Sequence, residues 1–187
     1  MNVKKRTHRT ERLAHLCWGF VLSAACISET LASTASENEL RAAVVIGIIR
    51  FATQYDHIGQ DYPLCVTGSP PSAGKLKQGD GMTILENRKL RVSEWQSGRP
   101  LTQCAALVMG PSITPKENAG ILVQARATST ILLCDDCKDE SQAHATLIRK
   151  GPRITFSVDA ALAKEAQVSF SSQLLKLADS VQITPAK

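Results

Sequence analysis

The chain has 187 residues, with 22 Lys and Arg against 17 Asp and Glu and only 4% aromatic residues. The net charge of +5 is concentrated at the start: without residues 1–32, which hold five basic and two acidic groups, 17 and 15 remain, a net of +2. One basic cluster is left, Arg88-Lys89-Arg91, with no interleaved aromatic residues. That excludes ordinary nucleic-acid binding, which needs several phosphate-facing cations and stacking side chains.

Lys4, Lys5, Arg6, Arg9 and Arg12 precede the apolar run Leu13 to Ile27, the layout of a secretory signal peptide. Cleavage is expected after Ala32, with Thr30 and Ala32 at the small-residue positions, or alternatively after Ala35. The run is too short, and too interrupted by Ser23 and Ser28, for a membrane span. Ser23-Ala24-Ala25-Cys26 faintly resembles a lipobox but has serine where leucine is usual. The expectation is an export segment at 1–32 and one domain at 33–187, long enough for a proper core.

Residues 37–54 read as a helix capped by Ser36, with Leu40, Val44, Gly47, Ile48 and Phe51 on its apolar stripe and Arg41 and Arg50 off it. A short strand from Pro63 to Thr67 ends at Gly68-Ser69-Pro70-Pro71, and a weak helix at 72–79 leads to the turn Gly79-Asp80-Gly81. Leu90 to Trp95 alternates as a half-exposed strand, and Cys104 to Met109 is apolar enough for an interior one. A helix from Pro115 to Arg126 follows, its proline suited to a first turn. Ile131 to Cys134 reads as a buried strand and 139–149 as a short helix before Gly151-Pro152. Ile154 to Val158 alternates again, Asp159 caps an alanine-rich helix at 160–166, and Val168 and Phe170 lead into a last helix near Ser172–Asp179. Strands alternating with helices predict an α/β fold: a single layered domain with a mostly parallel sheet flanked by helices.

Cys17 and Cys26 leave with the export segment, and Cys65, Cys104, Cys134 and Cys137 remain. An even count in an oxidising compartment favours disulfides, and three pairings exist. The pairing adopted is Cys65–Cys104, closing a long loop, with Cys134–Cys137 as a local and more reducible clip. Cys134-Asp135-Asp136-Cys137 has the spacing of a redox centre or half a zinc site. The aspartates disfavour a thiolate, and His144 is the only nearby histidine to complete a metal site, so a structural or regulatory disulfide is preferred. Asp135 and Asp136 read as solvated loop charges. Gly68 to Leu76 departs from a phosphate loop, with five residues between its glycines and Leu76 after Lys75. His57 and His144 have no nucleophile arrangement, and Ser169, Ser171 and Ser172 read as capping residues. Neither an enzyme nor a cofactor is expected.

The segments Gly151-Pro152-Arg153-Ile154-Thr155-Phe156-Ser157-Val158-Asp159 and Val168-Ser169-Phe170-Ser171-Ser172-Gln173-Leu174-Leu175-Lys176-Leu177-Ala178 carry a resemblance. With the opening helix ending Ile49-Arg50-Phe51-Ala52 and the strand Leu64-Cys65-Val66, they are similar to the YfiR family of periplasmic proteins over most of 37–179. The chain departs from that family at Tyr55-Asp56-His57, where members have Trp and Pro. It departs again at Asp139 to Lys150, short and polar here, where members carry a glycine-rich strand. The resemblance implies a periplasmic, dimeric repressor that binds the sensory domain of an inner-membrane diguanylate cyclase, lowering cyclic-di-GMP synthesis and restraining biofilm formation. It also implies sequestration by an outer-membrane OmpA-type lipoprotein, and disulfides that stabilise the fold and make repression redox-sensitive. The expected partner surface is Phe170, Leu174, Leu175 and Leu177, with Arg153 and Glu165 as rim charges. A periplasmic thiol–disulfide protein using Cys134 and Cys137, or a small-ligand sensor, is the alternative.

Overall fold

A computed structural model describes residues 35–53, 59–85 and 87–183. The export segment 1–32 with the cleavage position after Ala32, the end of the first expected helix at residue 54, and His57 lie outside the described residues; the alternative position after Ala35 falls at their first residue. In chain order the first half forms α1 (Glu37–Arg50), β1 (Ala52–Thr53), β2 (Asp61–Thr67), α2 (Ala73–Gln78), β3 (Thr83–Leu85), β4 (Arg88–Glu94) and β5 (Ala106–Met109). The second half adds α3 (Pro115–Thr128), β6 (Ile131–Asp135), β7 (Ala145–Lys150), β8 (Arg153–Asp159), α4 (Ala160–Glu165), β9 (Ser169–Phe170), α5 (Ser172–Leu177) and β10 (Ser180–Gln182). Short 3-10 turns occur at Leu101–Gln103 and Glu140–Gln142.

Both long helices start from reciprocal caps. The Ser36 Oγ accepts from the Glu39 N–H (3.3 Å) while the Glu39 carboxylate accepts from the Ser36 N–H (2.8 Å), and Thr114 and Glu117 repeat the arrangement before Pro115. Each box satisfies donors that a helix N-terminus otherwise leaves unpaired. Asp159 starts α4 as expected, its carboxylate accepting from the Leu162 N–H (2.8 Å).

Eight strands form one sheet in the order β10-β8-β7-β6-β5-β2-β4-β3. β4, β2, β5, β6 and β7 run parallel, β8 returns antiparallel to β7 through Gly151-Pro152, β10 lies parallel to β8, and β3 pairs antiparallel with β4. The fold is therefore α/β with a mostly parallel sheet between helices. Successive strand residues face opposite sides. Leu64, Val66, Ala106, Val108, Ile131 and Leu133 meet α1, α2, α4 and α5 in one apolar cluster. Cys65, Leu107, Met109, Leu132 and Cys134 meet α3, Trp95 and Leu101 in the other.

Three expectations are corrected, the third of them at Asp135. Residues 139–149 are not a helix: after the turn Glu140–Gln142 the chain enters β7, paired in parallel with β6 and antiparallel with β8. The cause is geometric, because Asp136 to His144 must carry the chain back to the start of a neighbouring parallel strand and leaves no room for a full crossover helix. The buried side of α1 is Arg41, Ala42, Val45, Ile48 and Ile49; of the expected stripe Leu40, Val44, Gly47, Ile48 and Phe51, only Ile48 is fully buried, Leu40, Val44 and Gly47 are half-buried and Phe51 is exposed. A helix apolar on nearly every side has no phase in its sequence; a buried ion pair supplies it.

Arg41 donates to the Asp135 carboxylate (2.7 Å) and to Glu37 (2.9 Å), and the other Asp135 oxygen accepts from the Ser72 N–H (2.8 Å). Asp135 is wholly buried and Arg41 is 6% exposed, so neither is the solvated charge its sequence position indicated. The pair joins α1, the end of β6 and the residue before α2. Replacing one partner leaves a buried charge without compensation, which typically costs about 3–5 kcal/mol, whereas removing both together costs less. Chemical denaturation of Arg41→Met should show a loss of that size, and the double substitution Arg41→Met with Asp135→Leu should recover at least half of it.

Candidate functional site

The four cysteines of the described chain form two bridges. Cys65 in β2 is bonded to Cys104, just before β5, with Cα atoms 5.6 Å apart. Cys134 near the end of β6 is bonded to Cys137, with Cα atoms 5.5 Å apart and Asp136 between them in the left-handed region at φ 67°. Cys134 is wholly buried and Cys137 half-buried. The more exposed cysteine is the second of the pair, and the first lies within a strand rather than in the first turn of a helix, where a thiolate is stabilised. The geometry suits a clip at the start of the β6–β7 crossover better than a centre for turnover. Among the described residues, no group of three His, Cys, Asp or Glu side chains comes together to hold a metal.

The expected partner residues occupy different environments. Ser171 caps α5, its Oγ accepting from the Leu174 N–H (3.2 Å), and this turns Leu174 inward to 2% exposure. Leu175 is half-buried against the core, and Leu177 stands 66% exposed at the end of the helix. Phe170 lies in β9, which pairs antiparallel with β1 so that Phe170 faces Ala52. The Ser171 N–H donates to the Phe51 carbonyl (2.9 Å), bringing Phe51, 39% exposed, beside the same segment. Phe51, the residue ending α1, thus lies beside Phe170 of the C-terminal segment, from which α5 continues to the half-buried Leu175 and the exposed Leu177.

Phe51 was assigned from sequence to the core stripe of the first helix. No local signal reveals its place, because the β1–β9 pairing joins residues far apart in the chain. Arg153 and Glu165 do not flank one patch. Arg153 opens β8, whereas α4 and Glu165 follow its other end, Asp159, about 20 Å away along the strand. Glu165 is also ion-paired with Arg126 of α3, while Arg153 is exposed.

Open parallel sheets usually take ligands outside the carboxyl ends of the strands where the chain direction across the sheet reverses. Here that place lies between β2 and β5, and the chain fills it. The Gly110 N–H donates to the Thr67 carbonyl (2.9 Å) and the Ser112 N–H to the Gly68 carbonyl (3.0 Å). A Cβ on Gly110 would strike the backbone of Gly68, Ser69 and Pro70, so only glycine permits this closure. A separate apolar groove of about 530 Å³ runs beside α1 and α2, lined by Ala43, Ile46, Gly47, Leu76, Met82 and Leu90. Among the described residues no helix is long and apolar enough to cross a membrane.

The two bridges restrict the unfolded chain unequally. Sequence separations of 39 and 3 correspond, by loop-closure entropy, to about 4 kcal/mol for Cys65–Cys104 and about 2 kcal/mol for Cys134–Cys137. Urea unfolding of Cys65→Ser/Cys104→Ser should therefore show the larger loss, and Cys134→Ser/Cys137→Ser the smaller.

No curated protein matches the chain. A family model described as YfiR/HmsC-like matches residues 38–179, from α1 through the residue after α5 and its cap, and so spans both bridges and the positions of Phe51, Phe170 and Leu177. A match over this much of the sequence settles the assignment: the chain belongs to the YfiR/HmsC-like family.

Proposed function

We propose that the chain is a periplasmic regulator that acts by binding, with residues 1–32 as its export signal. Its target is the periplasmic sensory domain of an inner-membrane diguanylate cyclase. Binding favours the inactive geometry of the cyclase, lowers cyclic-di-GMP synthesis and restrains biofilm formation. An OmpA-type lipoprotein of the outer membrane competes for the regulator and releases the cyclase, and the regulator works as a homodimer. The observation that carries this reading is the YfiR/HmsC-like match across residues 38–179, a family of regulators rather than catalysts. Two bridged cysteine pairs accord with folding in an oxidising compartment.

The physical mechanism is a population shift. A regulator moves a two-state partner only by its difference in affinity for the two states. Apolar side chains held out of the core are the natural source of such contacts, and Leu177 and Phe51 are two of the exposed large apolar side chains, with Ile183 further along the C-terminal segment. Leu174 serves the fold instead.

Substitution at these positions separates the two roles. Leu177→Asp should leave thermal stability within about 0.5 kcal/mol while weakening binding to the purified cyclase domain at least tenfold and raising cellular cyclic-di-GMP. Leu174→Ala should cost about 2–5 kcal/mol of stability and reduce binding only in proportion to the protein that unfolds. Wild-type affinity in a folded Leu177→Asp/Phe51→Asp variant would remove the C-terminal surface from the proposal.

A further inference from the structure

His144 stands one residue before β7, wholly buried, and completes a sheet ladder with its side chain. Its backbone N–H donates to the Leu132 carbonyl (2.9 Å), and its ring Nδ1 accepts the Leu132 N–H (3.2 Å). An imidazole that accepts at Nδ1 carries its one proton at Nε2 when neutral. That Nε2 is also buried, with no hydrogen-bond partner among the described residues. A second proton could enter only at Nδ1, where it would face the Leu132 N–H, donor against donor. The ring can hold the β6–β7 junction closed only while neutral.

We propose that His144 is an acid-released latch: protonation at Nδ1 ends its acceptance of the Leu132 N–H and frees β7, with the β8–β10 segment behind it, from β6. The charged groups around the ring do not oppose this. Arg126 approaches from α3 and is ion-paired with Glu165 of α4. Asp159 of β8 donates its N–H to the His144 carbonyl (3.0 Å), and its carboxylate is taken by the Leu162 N–H (2.8 Å). In the crossover itself, the Asp139 carboxylate accepts from Gln142 (3.1 Å) and Glu140 is exposed. No carboxylate among the described residues hydrogen-bonds the ring to stabilise an imidazolium.

Burial, and secondarily the Arg126 charge, pulls the imidazole from 6.5 down to about 4. The opened chain therefore takes up a proton before the closed one does. The latch contributes fully above about pH 6.5 and is lost as pH falls from there towards about 4. The freed segment carries Phe170 and Leu177, so acid would loosen the proposed docking surface. That consequence rests on the proposed function; the opening itself does not.

Hydrogen exchange of the full chain, expressed as protection factors so that intrinsic exchange rates cancel, tests the latch without a partner. From about pH 7 to about pH 5, protection of Ala145–Lys150 should fall about 20-fold more than that of Ala106–Met109. In His144→Asn the side-chain oxygen can accept the same N–H and takes no proton, so the difference should vanish. Equal loss in both segments, or the same loss in the variant as in the wild type, would overturn the proposal. If the variant does not fold, nitrogen-15 shifts of the wild-type ring decide. An Nε2–H tautomer that persists below pH 6, and shifts together with the Leu132 amide, supports the latch. Titration near 6.5 with an unmoved Leu132 amide contradicts it.

Discussion

The buried contact between Arg41 and Asp135 is the constraint on which the rest of the arrangement hangs. It fixes which side of α1, apolar all round from Ala42 to Ile49, faces the sheet. It ties that helix to the end of β6, next to the Cys134–Cys137 bridge, and through the Ser72 N–H to the start of α2. Two charges out of water are tolerable here because both carboxylate oxygens of Asp135 and the guanidinium of Arg41 are hydrogen-bonded. Hydrophobic burial alone would leave α1 free to rotate about its axis; the ion pair selects one rotation.

That rotation has a consequence at the other end of the helix. With Val45, Ile48 and Ile49 inward, the chain leaves α1 with Phe51 at the surface and runs directly into β1. β1 then captures β9, so the first and last parts of the domain meet in a two-stranded ribbon beside the main sheet. The juxtaposition of Phe51 and Phe170 depends on this closure. Meanwhile the Gly68–Gly110 contact fills the crevice where a sheet of this order would ordinarily hold a small molecule. The chain's own backbone thus occupies the place where related architectures hold a ligand.

Much of this was legible in the sequence. Ser36, Thr114-Pro115 and Asp159 carry local chemistry that starts helices, and Ile131 to Cys134 is too apolar to be anything but interior. The alternation of such segments sufficed for the fold class. What escaped depends on contacts between distant residues. Arg41 reads as solvated until its partner, 94 residues away, is known. β7 reads as helix until its neighbours β6 and β8 supply the ladder. β3 and β10 are three residues each, too short for any periodicity. The candidate surface was legible only as a segment: serine capping and i,i+3 spacing do not say that Leu174 turns inward and Leu177 outward. Nor does composition hint that His144 would spend a ring nitrogen on a backbone amide.

The central claim is that the chain regulates by docking through the surface that its two ends build together. Site-specific photo-crosslinking in cells tests it most directly, with the reactive side chain placed at position 51, at position 177, or at Val123, 65% exposed on α3 across the sheet. The account predicts adducts with the cyclase periplasmic domain from 51 and 177 and none from 123. Adducts from 123 alone, or none from either 51 or 177 in cells where cyclase is repressed, would contradict it.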